Sequence, residues 1–191
     1  MQLRADRRAS VRVAYIAVFT ALSAVIGYVE LLIPINIFGI PGVKLGLANI
    51  ASVIAMYLFG PAYAFLIMTT RVILLGLMFG NMYSVLFSFA GGSLSIIAMM
   101  IFKKSGAFSV YGVSTVGGTV HNLGQLLVAS VTLNGIKLYY YAPVLIIAGE
   151  VCGFVIGALS AVILNRLFFE LIDKEGKGND RVFKGDTKRD L

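Results

Sequence analysis

Charged and metal-ligating side chains are scarce in this chain. Only 13% of its 191 residues are charged, and it has one cysteine and one histidine. A lone cysteine, Cys152, excludes an intramolecular disulfide, and one cysteine with one histidine gives no basis for a dedicated zinc site. Enzyme signatures are missing as well. No GxxxxGK[ST] phosphate loop is present, which excludes ATP hydrolysis by that device, and there is no HExxH or GxSxG. Nor is there a DDxxD cluster of the kind that holds magnesium and a diphosphate. The polar loops are too short for a separate catalytic domain. The chain is therefore expected not to be an enzyme, and no motif calls for a resident cofactor.

What is abundant is apolar surface: 59% of residues are hydrophobic and the mean hydropathy is +0.90. A soluble domain of this length must cover its exterior with polar groups, which this composition cannot supply. A lipid bilayer removes the difficulty. The net charge of +7 sits at the two ends. Arg4, Arg7, Arg8 and Arg12 open the chain; Lys174, Lys177, Arg181, Lys184, Lys188 and Arg189 close it. On an apolar body such flanks orient a protein in a membrane; they do not form a nucleic-acid groove, and no nucleic-acid partner is expected.

About 20 apolar residues cross a ~30 Å hydrocarbon core. Six runs qualify as candidates: Val11–Ile33, Val43–Phe59, Ala62–Phe79, Met82–Phe102, Ser109–Leu133 and Tyr141–Leu164. Pro34 and the stretch Asn36–Gly42, then Phe59-Gly60-Pro61, Lys103-Lys104-Ser105-Gly106 and Asn134-Gly135 are the breakers between them. The weakest joint is Gly80-Asn81. The first run is longer than a signal-peptide core and reads as a retained helix. The expected fold is an all-α integral membrane bundle of six transmembrane helices. Residues 1–10 form a basic cytoplasmic N-terminus, 11–168 the bundle, and 169–191 a mobile, charged cytoplasmic tail. That tail either tethers to anionic lipid or is simply solvated.

Charge sets the orientation. With the N-terminus inside, thirteen of the sixteen Lys and Arg residues fall on the cytoplasmic side, Lys44 and Lys137 fall outside, and Arg71 lies within a span. Discounting the six basic residues of the tail still leaves seven against two. Both termini are thus expected in the cytoplasm of a multi-pass protein of the plasma membrane.

Polar residues at bilayer depth are costly and usually face a bundle interior or a wet cavity. On this topology Glu30, Lys44, Asn49, Arg71, His121, Asn122, Gln125 and Glu150 all lie in the middle or outer half, whereas the inner halves are almost free of ionisable groups. Gly117, His121 and Gln125 recur every fourth residue and share a helical face, with Asn122 beside them. They are candidates to wall a pocket for a polar small molecule; joining neighbouring helices is the other use of such residues. Arg71 and Glu150 are candidates for a buried ion pair, and Arg71 or Lys44 for receiving an anionic ligand group. Two small-residue stripes permit close helix approach: Ala14, Ala17, Ala21 and Ala24 in the first span, and Gly149, Gly153, Gly157 and Ala161 in the sixth. The glycine stripe suits internal packing. The alanine stripe suits either packing or docking of another membrane protein.

The segments Pro41-Gly42-Val43-Lys44-Leu45-Gly46-Leu47-Ala48-Asn49-Ile50 and Val120-His121-Asn122-Leu123-Gly124-Gln125-Leu126 resemble the bacterial membrane proteins called heptaprenyl diphosphate synthase component I, or the Gx transporter family. The resemblance covers roughly residues 10–168. That family is similar in turn to the substrate-binding S components of energy-coupling factor (ECF) importers. The similarity implies six helices, cytoplasmic termini, an outward pocket capped by the loop after the first helix, and an alanine-rich first helix that meets a transmembrane coupling protein driven by ATPases. Ala17-x-x-x-Ala21 fits the last feature. The synthase label implies instead a non-catalytic accessory of a polyprenyl diphosphate synthase, or of quinone- or flavin-linked electron transfer.

The charge bias makes a direct prediction. Cysteines placed at Lys137 and near Asn36 should react with an impermeant thiol reagent on intact cells, and one placed at Lys104 should not. Labelling at Lys104 but not at Lys137 would invert the topology.

Overall fold

The computed structural model describes residues 2–32, 46–79, 82–132 and 136–177, with side chains at 10, 13–32, 46–79, 82–132 and 138–167. Among the described residues there are six α-helices, one 3-10 segment and no strand. The helices are α1 (Gln2–Leu32), α2 (Asn49–Leu58), α3 (Pro61–Phe79), α4 (Met82–Lys104), α5 (Val110–Thr132) and α6 (Ala142–Lys177), with the 3-10 segment Ile136–Tyr141 before α6. Lys44, the 33–42 segment, Gly80-Asn81, Asn134 and the chain after 177 lie outside the described residues.

Among the described residues four helices are long and apolar enough to cross a membrane: Val13–Leu32 of α1, α3, α4, and Leu138–Leu167 spanning the 3-10 segment and α6. This is the composition of a multi-pass membrane protein. The other two helices depart from the expected six equal spans for different reasons. As described, α2 has ten residues, a rise of about 15 Å, half the hydrocarbon thickness. It is apolar all round and buried all round, with every residue from Ala51 to Tyr57 inside. At 23 residues α5 is long enough, but its glycines, Thr115, Thr119, His121, Asn122 and Gln125 lower its apolar character.

The outer boundaries also shift. α1 begins at Gln2, so the basic N-terminal segment is helical, and α6 runs on to Lys177, into the segment expected as tail. α3 ends at Phe79 and α4 starts at Met82; the expected joint at Gly80-Asn81 lies outside the described residues.

Close packing centres on α5, which makes its most extensive contacts with α6 and α4. A Cβ on Gly118 would lie 2.4 Å from the Gly149 oxygen and 2.9 Å from the Gly153 Cα. One on Gly124 would lie 2.9 Å from the Gly91 Cα. Backbone thus rests on backbone at both crossings, and the α6 glycine stripe is spent on internal packing. The first-span alanines are placed differently: Ala14, Ala17 and Ala21 are exposed and Ala24 is half-buried. Around them and on α3, α4 and α6 lies a wide apolar exterior, including Val18, Val25, Leu77, Ile97, Val155 and Val162. In water this would be an aggregation surface; in lipid it is the ordinary exterior.

At the far end of the bundle, Lys103 of α4 donates to the Met56 carbonyl at 3.1 Å and sits 4.3 Å from the Tyr57 ring centroid. A cation there satisfies a last-turn carbonyl of α2 and complements its dipole.

The glycine contacts predict that Gly118→Ala destabilises the detergent-solubilised protein by about 1–3 kcal/mol, the usual cost of overpacking. Gly112→Ala is the comparison, because its Cβ would meet only the Phe108 ring, at 3.0 Å. Thermal unfolding of the two variants checks this, and equal midpoints would remove the backbone contact as the source of α5–α6 stability.

Candidate ligand site inside the bundle

The site is assembled from one face of α1 outwards. Ser23, Gly27 and Glu30 recur at helical spacing on that face. Ser23 donates to the Ala48 carbonyl at 2.9 Å, and Glu30 accepts the Gly46 backbone N–H at 2.5 Å. Two polar side chains of α1 therefore hold the turn that starts α2. Gly46 has φ +82°, a left-handed value that favours glycine, and a Cβ on it would lie 2.9 Å from the Asn49 amide and 3.1 Å from the His121 ring. The glycine lets the turn lie directly over the polar residues beneath it.

Those residues form a chain across three helices. Arg71 of α3 donates through Nη2 to Asn49 Oδ1 at 3.3 Å. Asn49 Nδ2 lies 3.3 Å from His121 Nδ1, and His121 Nε2 lies 2.8 Å from Gln125 Nε2. Chemistry gives the chain a direction. A guanidinium only donates, so Asn49 turns its oxygen to Arg71 and its NH2 to His121. His121 Nδ1 then accepts and the neutral ring carries its proton on Nε2, so the Gln125 amide, placed with its nitrogen toward the ring, turns end for end to present its oxygen. Asn49, Arg71, His121 and Gln125 are all buried.

Between these residues and α4 lies a cavity of about 20 Å³, lined among others by Glu30, Arg71, Ser84, Ser88, His121 and Gln125. That is room for about one water. Ser84 and Ser88 were not anticipated from the sequence. Their i, i+4 spacing on an otherwise apolar run, continued by Gly91 and Ser95, is the signal that would have found them.

The other expected residues go elsewhere. Asn122 faces away from the cavity and donates to the Leu145 carbonyl of α6 at 2.9 Å, so it joins helices. Gly117 packs on Met99 and Ser95 of α4. Glu150 is exposed on α6 and forms no pair with Arg71. The cause is the glycine stripe: Gly149 faces α5, and the next residue is turned ~100° away from it. The neighbours of Arg71 on α1, α2 and α4 include Glu30 in place of Glu150, and its carboxylate is near enough to act on the guanidinium electrostatically. No group of three or more His, Cys, Asp or Glu suited to a metal ion occurs among the described residues.

A family model described as heptaprenyl diphosphate synthase component I matches residues 19–163. The chain belongs to that family. The matched region runs from α1 to α6 and contains every member of the Glu30–Gln125 network, while leaving out Ala14 and Ala17. No curated protein and no solved structure matches the chain.

The sole histidine makes the direction of the chain testable without assignment ambiguity. In the ¹⁵N-labelled protein at neutral pH, His121 should show a protonated Nε2 and an unprotonated Nδ1. The opposite tautomer would reverse the chain of hydrogen bonds and the orientation of Asn49 with it.

Proposed function

We propose that this family member is the substrate-capture subunit of an ECF-type importer, with its site open to the outside in the ligand-accepting state. The observation that carries this reading is the gathering of Glu30, Arg71, His121 and Gln125, from three helices, around one cavity, with Asn49 of α2 bonded to Arg71 and His121 behind it. Burying so many polar groups in an apolar bundle is costly, and holding helices together requires far fewer of them. Ligand enters on the side of the Gly46–Asn49 turn, which Glu30 and Ser23 hold over the cavity. At about 20 Å³ the cavity has room for a water and not for a larger ligand, so uptake includes a widening step.

Energy comes from partner ATPases through a transmembrane coupling protein that docks on α1. Three observations support that side of the reading: Ala14, Ala17 and Ala21 lie on the exterior, small side chains allow close backbone approach, and nothing within the described bundle covers them. The family's description supports a second reading, a non-catalytic membrane accessory of a heptaprenyl diphosphate synthase. Copurification separates the two, since ATPases with a coupling protein support the first and a soluble prenyl synthase supports the second.

Replacing Ala17 and Ala21 together by Leu is expected to abolish partner copurification and uptake while leaving folding and small-molecule retention intact. Native mass spectrometry of the purified protein measures the retained molecule, and a pull-down from membranes measures the partner. Loss of folding in the variant would make the stripe a packing surface and remove the docking assignment.

A further inference from the structure

Glu30 and Arg71 are both buried, 7% and 5% exposed, and both line the same cavity. They carry opposite charge and yet form no ion pair among the described residues. Glu30 spends one oxygen on the Gly46 N–H, and Arg71 spends one N–H on Asn49 through a long 3.3 Å bond. The Arg71 Nε has no hydrogen-bond partner, although it is fully buried. In a low-dielectric interior a purely structural pair gains most by direct contact, with the guanidinium fork closed on the carboxylate. Here the two charges are held apart, each with hydrogen-bonding capacity left over and a cavity between them.

The geometry points to a small zwitterion as the ligand class, with its carboxylate on Arg71 and its protonated amine on Glu30. This rests on the capture reading above. Charge balance selects the zwitterion over a simple anion or cation. Arg71 and Glu30 already cancel, His121 is neutral in the hydrogen-bond chain, and a ligand with net charge would leave one charge uncompensated in the interior. The ligand's two ends also replace what each charge lacks: the carboxylate takes the free Nε–H in a forked arrangement, and the ammonium takes the remaining carboxylate lone pairs. Space comes from Leu75 and Val85. Their side-chain ends lie 2.6 Å and 2.2 Å from where a Cβ on Gly27 and on Gly76 would be, so both fill glycine notches beside the cavity. Turning these two branched side chains away widens it without moving a helix.

The test uses the full chain in lipid nanodiscs, titrated calorimetrically with glycine, β-alanine and γ-aminobutyrate, and with acetate and ethylamine as single-charge probes. At least one amino acid should bind at least about tenfold more tightly than either single-charge probe. Arg71→Lys, which keeps the charge and loses the fork, and Glu30→Gln should each weaken that binding about tenfold. Glu30→Gln should in addition leave acetate binding unchanged or stronger, which a merely structural role for Glu30 would not produce. Should Arg71→Lys fail to fold, the wild-type probe series and Glu30→Gln decide the matter. Acetate binding as tightly as every amino acid overturns the zwitterion and makes this an anion site, with substrate capture intact. Binding of none of the probes overturns it too. A small molecule retained in native mass spectra would then leave the capture reading standing, and its absence would remove that reading as well.

Discussion

The carboxamide of Asn49 is the junction on which the interior depends. It is a group with one accepting and one donating end, set between a side chain that can only donate and a ring that can do either. Everything around it follows from satisfying both ends in a medium without water. Arg71 fixes which end is which, His121 takes the tautomer that remains, and Gln125 turns to suit the tautomer. The turn that delivers Asn49 is held from above by Ser23 and Glu30 of α1 and admits only glycine at position 46. A leucine in place of Asn49 would strand a buried guanidinium and leave His121 Nδ1 without its donor. Removal of a partner of this kind usually costs more than the bond was worth.

Much of this was legible in the sequence, because in a membrane the cost of a buried polar group makes it conspicuous. Asn49, Arg71, His121, Gln125 and Glu30 were all marked by depth and residue type alone, and the structure brings these five together. The glycine stripe of the sixth span was read as internal packing, and Gly149 and Gly153 do touch α5 backbone. Depth locates a residue along a helix but says nothing of its azimuth. Asn122 and Glu150 share the depth of the cavity residues but turn elsewhere, Asn122 to the Leu145 carbonyl and Glu150 to the exterior. Ser84 and Ser88 escaped for the opposite reason, since a hydroxyl in a helix can satisfy itself on its own backbone and so raises no alarm. The brevity of α2 was hidden because its apolar run continues through flanking residues that are not part of the described helix.

Two kinds of close approach divide the bundle. Where α5 meets α6, and where Gly124 meets Gly91 of α4, glycines bring backbones together. Where α1, α3, the turn before α2 and the Ser84–Ser88 and His121–Gln125 faces of α4 and α5 meet, polar side chains make the links and a small cavity remains. Rigid packing on one side and hydrogen bonds on the other suit a binding site, since the hydrogen-bonded side can rearrange at the cost of bonds that a ligand replaces. Lys103, which counts toward orientation in the sequence, also ties α4 to the end of α2.

The polarity of α5 has a consequence for how the protein is made. A helix carrying His121, Asn122 and Gln125 partitions poorly into lipid by itself, whereas α3 and α4 enter readily. As the nascent chain emerges, α5 follows a strongly apolar α4 and precedes a strongly apolar α6, and its glycines fit the backbone of both. Any entry of α5 into the bilayer is therefore expected to be cooperative, with neighbours that shield it. Until α6 has been synthesised, one side of α5 has no helix to lean on. A chain interrupted before that point would present its most polar segment to lipid, and would be a natural substrate for membrane quality-control proteases.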